Sequence, residues 1–71
     1  MDKIEYFKER KDALKYIFMN QSGKLCILQS HVRYEILLSL ESAGFLVINE
    51  YGDSYYMTDL GKDYCTEYLF Q

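Results

Sequence analysis

Ile4, Phe7, Leu14, Ile17 and Phe18 fall near one face at about 100° per residue, and no glycine or proline interrupts residues 2–19. The spacing predicts one helix over 2–19, with Asp2 available to cap its start. The polar run from Lys8 to Asp12 breaks the apolar rhythm, so two short helices meeting near Asp12 are the alternative. Asn20, Gln21, Ser22 and Gly23 then offer suitable chemistry for a helix C-terminus. Leu25, Cys26, Ile27 and Leu28 form a short apolar block, which fits a brief strand and a single buried turn equally.

Ser30 is a good N-cap for a helix over 31–43, whose inward stripe is Val32, Ile36, Leu37, Leu40 and Ala43. Gly44 suits the left-handed position that closes such a helix, and Phe45 can fold back on its last turn. Residues 46–51 and 55–58 alternate as strands around Gly52, Asp53 and Ser54. Glycine first in a two-residue loop predicts a type II′ hairpin with Tyr51 and Ser54 paired across it. Leu46 and Ile48 then share one face, and Val47, Asn49 and Tyr51 the other. Thr58 caps a final helix, with Asp59 in its first turn and Leu60, Tyr64 and Tyr68 at helical spacing. Gly61 inside that helix costs about 1 kcal/mol against alanine, which a close backbone approach would explain. The pattern predicts one α+β domain over 1–71 with a two- or three-stranded antiparallel sheet.

Composition adds constraints. At 71 residues the chain buries only about 60% of its unfolded surface, so its margin of stability is thin. Eight tyrosines supply apolar area with polar tips, and a homodimer that covers some of them is expected. No stretch reaches the about 18 apolar residues of a membrane span, and the charged N-terminus has no signal-peptide core. Cys26 and Cys65 read as two reduced, buried thiols in a cytoplasmic protein. One histidine and no Cys-x-x-Cys give zinc nothing to hold on to, and no cofactor is implied. The chain has no phosphate loop, nucleophile elbow or histidine–acid cluster, so no enzyme is expected. Net charge is −3 and uneven: residues 1–24 hold six Lys/Arg against four acids, residues 25–71 only Arg33 and Lys62 against seven.

The motif Leu37-x-x-Leu40-x-x-x-Gly44-Phe45-Leu46, a short hairpin, and then Met57-Thr58-Asp59-Leu60-Gly61 resembles the C-terminal half of a MarR/PadR-like winged helix-turn-helix domain. The resemblance covers more than half the chain and implies a small winged helix. It makes 31–43 the recognition helix, 51–55 the wing tip, and the last helix a dimer element or core cover. Two departures stand out. The stretch between Asn20 and Ser30 is too short for a full second core helix, and the wing carries no Lys or Arg.

Two functions follow. The first is a homodimeric DNA-binding transcriptional regulator with residues 31–43 in a major groove. Lys11, Lys24, Ser30, His31, Arg33, Tyr34 and Tyr55 would contact duplex DNA, with Lys8, Arg10 and Lys15 as further phosphate ligands. The second is an acidic winged-helix interaction module that binds and modulates a basic, even nucleic-acid-binding, protein, as phage or mobile-element proteins do. Tyr34, Leu38, Glu41, Tyr51, Tyr64 and Tyr68 would carry that contact. The outward face of a DNA-reading helix normally shows Arg, Lys, Asn or Gln, whereas this one shows Tyr34, Leu38 and Glu41. Competing structural roles are Leu38 buried on the first helix, Arg33 paired with Glu35 or Glu41, and hairpin tyrosines as cross-strand stabilisers.

Overall fold

In the computed structural model, which describes residues 3–69, the long N-terminal pattern is a single helix, α1 (Lys3–Met19). Asp2, the expected cap, lies outside the described residues. Only Ala13, Leu14 and Ile17 of α1 are buried, and they pack with the third helix and the C-terminal segment. Ile4 and Phe7, expected on the inward face, are 75% and 59% exposed. The core lies under the later turns of the helix, so its first turns project beyond it.

The short stretch after α1 holds two elements rather than one. Ser22–Lys24 is strand β1, and Leu25–His31 is a two-turn helix, α2, with Leu25 and Leu28 buried. The second helix is therefore shrunken but present. Its N-terminus is capped from across the fold: the Leu25 N–H donates to the Asp53 carbonyl at 3.0 Å, and the Cys26 N–H to Asp53 Oδ1 at 2.9 Å. A carboxylate at this end also suits the helix dipole.

The next helix, α3, runs Tyr34–Ser42, so the expected start at Ser30 is wrong by a turn. Ser30 lies inside α2, where its hydroxyl donates to the Ile27 carbonyl at 2.6 Å instead of capping anything downstream. His31 is the last residue of α2. Extended backbone at Val32 and Arg33 separates the helices, and Val32 is buried at the corner. Val32, expected on the inward stripe of the helix over 31–43, instead sits in the extended corner beside the buried Leu25 and Leu28 of α2.

The helix α3 ends as expected. Gly44 takes φ +86°, and the Phe45 N–H returns to the Leu40 carbonyl at 3.0 Å. Strands β2 (Leu46–Asn49) and β3 (Ser54–Met57) pair antiparallel with Asn49 opposite Ser54, and β1 pairs on the far side of β3. The sheet order is β1-β3-β2. The hairpin loop is thus four residues, not two, and Tyr51 leaves the ladder. The residue in left-handed backbone is Asp53 (φ 49°), and Asn49 Oδ1 accepts the Gly52 N–H at 3.1 Å. This asparagine turn displaces the type II′ geometry expected from Gly52.

Leu46, Tyr55 and Met57 face the core, while Val47, Asn49 and Tyr56 face outward. Helix α4 (Asp59–Tyr64) continues into a π-helical segment, Cys65–Leu69. Cys65 is buried as expected. Cys26 is exposed, against expectation, because α2 turns only Leu25 and Leu28 inward.

Thr58 ties three elements together. Its Oγ1 donates to the Gly44 carbonyl at 2.6 Å and accepts the Gly61 N–H at 3.1 Å, while its own N–H donates to the Phe45 carbonyl at 3.0 Å. Thr58→Ala removes the side-chain bonds and should lower unfolding free energy by about 1–2 kcal/mol. Urea titration followed by circular dichroism measures it. No change in midpoint would mean that the backbone bond alone holds the junction.

Candidate partner-binding groove between the third helix and the hairpin

Spacing of i, i+4, i+7 places Tyr34, Leu38 and Glu41 on one face of α3, and all three are exposed. Leu38, 41% exposed, is not buried against α1. Beside this face runs the outer edge of the hairpin. Ile48, Asn49, Glu50 and Tyr51 form the opposite wall of a groove of about 380 Å³. Four of the six residues expected to touch a partner (Tyr34, Leu38, Glu41 and Tyr51) therefore meet in one place. Tyr51 is fully exposed at its rim.

Two acids tie the walls together. The Tyr34 hydroxyl donates to Glu50 across the groove, and Glu41 Oε2 accepts the Ile48 N–H at 3.3 Å. The Glu50 carboxylate pushes the Tyr34 phenol above its ordinary range, chiefly because the neutral hydroxyl is needed as donor. From Tyr34 to Gly61 the sequence carries no Lys or Arg but five acids: Glu35, Glu41, Glu50, Asp53 and Asp59. The groove is apolar at its centre and negative at both ends.

The residues expected to contact DNA do not form one cluster: His31 and Arg33 share a hollow, and Tyr34 lies in the groove. Tyr55 is buried, and its hydroxyl donates to the Asn20 carbonyl at 2.6 Å, pinning β3 to the end of α1. It is not part of a wing tip, because the alternation of β3 turns it inward. Ser30 is occupied within α2. His31 stacks against Tyr16 at 4.9 Å. Arg33 pairs with neither of the expected α3 acids first. Its Nε and Nη2 donate to the two oxygens of Glu9 on α1 at 2.6 and 3.0 Å, with Glu35 at 4.0 Å. That fork holds the Arg33 guanidinium still more firmly protonated and braces α1 to the start of α3. Arg33 and His31 line a separate hollow with Asp12 and Tyr16. Lys11 lies beside a third hollow with Phe7, Phe45 and Tyr64, and Lys24 ends β1.

Tyr64 and Tyr68 do not join the groove. They continue a stack that starts on Phe45, with centroid spacings of 4.8 and 5.0 Å. Sequence reasoning missed Ile48, Asn49 and Glu50 as groove residues, and Glu9 as the partner of Arg33. The available signal for Glu50 was its place between strand and turn, one residue before Tyr51.

Burial raises the Cys65 thiol and the Tyr55 phenol, as the Glu50 bond raises Tyr34. Each group binds its proton more tightly when folded. Their contribution is whole below the unfolded values, about 8.5 for Cys and about 10 for Tyr, and is lost as pH climbs through the folded ones. Stability should therefore fall on the alkaline side, and Tyr55→Phe should make that fall shallower. Melting temperatures from pH 7 to 11 measure it; equal slopes in both proteins would contradict the assignment.

No helix among the described residues is long and apolar enough to cross a membrane. No family model, curated protein or solved structure matches the chain.

Proposed function

We propose that the chain is a winged-helix protein-interaction domain whose α3–hairpin groove receives a basic segment of a partner protein. The single observation behind this reading is the groove itself: Leu38 lies between Glu41 at one end and the Tyr34–Glu50 pair at the other, with no cation on either wall. An apolar floor with an acidic rim suits a Lys/Arg-bearing segment and disfavours phosphates. The role is binding rather than catalysis. The exposed thiol of Cys26 suits a reducing cytoplasm.

The second reading is a DNA-binding regulator. What favours it is the order helix, strand, helix, helix, hairpin with sheet order β1-β3-β2, an arrangement that suits a winged helix with α3 as reader.

Fluorescence anisotropy with a labelled lysine-rich peptide and a labelled mixed-sequence duplex separates the two. The peptide should bind and weaken with salt, and Leu38→Asp or Tyr34→Ala should weaken it about tenfold or more. The duplex should not bind at about 0.15 M salt. Duplex binding with a steep salt slope, reduced by Arg33→Ala and Lys11→Ala, would favour the second reading instead.

A further inference from the structure

The groove has unlike walls: a helix on one side and an open strand edge on the other. Sheet order places β2 at the edge. On the far side of β3, the Met57 N–H donates to the Gln21 carbonyl at 2.8 Å, toward β1. Backbone groups alternate along a strand, so Ser54 and Tyr56 serve β2 through Asn49 and Val47. Leu46 and Ile48 accordingly turn their backbone groups to the open edge. The Ile48 N–H bears this out, since its acceptor is a side chain of α3, Glu41, and not a strand.

We infer that the partner segment enters the groove in extended form and adds as a fourth strand on β2. This rests on the reading above and specifies how the basic segment is held. An added strand lies about 4.8 Å from its neighbour and takes the outward N–H and C=O groups of the edge. Alternate side chains of the segment then point toward Leu38 and toward solvent. Glu41 has a double part. In the empty groove its carboxylate occupies the Ile48 N–H, which keeps the edge from pairing indiscriminately. When the segment arrives, a backbone carbonyl takes that N–H, and the released carboxylate turns to a Lys or Arg of the segment. Glu50 leaves Tyr34 for a second cation in the same way. Charge selects the partner, and backbone pairing sets its register.

The test uses the whole chain and two probes, a capped peptide alternating lysine and valine and the same peptide N-methylated at every second amide. N-methylation removes backbone donors along one edge and leaves charge unchanged. The unmodified peptide should bind, slow hydrogen exchange at the Ile48 amide, and lose about tenfold or more in affinity on N-methylation. Equal affinity of the two peptides, with groove residues still perturbed, overturns strand addition and leaves the basic-segment reading standing. Failure of both peptides to perturb the groove at about millimolar concentration overturns both.

Discussion

Gly61→Ala should lower the unfolding free energy by about 2–3 kcal/mol, and Gly61→Val should cost more. A Cβ at Gly61 would sit 2.6 Å from the Phe45 carbonyl oxygen and 3.0 Å from Met57 Cγ. The nearer atom is backbone, so it cannot turn aside. Relief would require α4 to lift from the start of β2, which breaks the Thr58 bonds as well. In a domain of this size each kcal/mol is worth about 4–8 °C, so the alanine variant should melt roughly 10–20 °C lower. Gly23→Ala is the control, because its Cβ would meet only ordinary contact with the Tyr55 ring at 3.5 Å. Differential scanning calorimetry of both variants decides the matter. Equal melting points would mean that the close approach carries no stability.

The second large effect is on binding. Glu41→Lys with Glu50→Lys changes the groove by four charge units without touching a buried side chain. Binding of a lysine-rich peptide should fall about a hundredfold or more, since attraction at both ends becomes repulsion. The same variant should gain retention on duplex DNA at low salt, because phosphate then meets cations on α3 and the hairpin. Circular dichroism should show an unchanged fold. Undiminished peptide affinity would move the partner surface elsewhere on the molecule.

Much of the fold was legible because apolar spacing and cap chemistry are local. The single first helix, the glycine stop at Gly44, the inward Leu46 and the Thr58 cap follow from neighbours in sequence, whereas at Gly61 the sequence signals only that some element comes close, and the structure shows it to be Phe45. The failures were tertiary. Ser30 has good capping chemistry, but burial of Leu25 and Leu28 makes a separate helix, α2, that absorbs it. The hairpin loop is set by Asn49 and by Asp53 serving the start of α2, which no local rule at Gly52 contains. Ile4 and Phe7 have helical periodicity, yet nothing in sequence says where the core beneath them stops.

The groove was half legible. Its helical wall could be read from the i, i+4, i+7 spacing of Tyr34, Leu38 and Glu41. Its strand wall depends on which edge of the sheet lies beside α3, and that is a matter of topology. The dispersal of the residues expected on DNA has a related cause. Lys11, Lys24, Ser30, His31, Arg33, Tyr34 and Tyr55 share polar chemistry but no common element. The fold spreads them over α1, β1, α2, the α2–α3 turn, α3 and the core. Arg33 in particular is taken up by Glu9, twenty-four residues away in sequence.

The most direct measurement is a pair of titrations of the isotopically labelled domain, followed by amide correlation spectra at about 0.1 M salt. One uses the lysine-rich peptide and the other a mixed-sequence duplex. The peptide should shift Tyr34, Leu38, Glu41, Ile48 and Glu50 most, and the duplex should shift none of them. Shifts of α3 and the hairpin by the duplex, with none from the peptide, would contradict the assignment of this face to a protein partner.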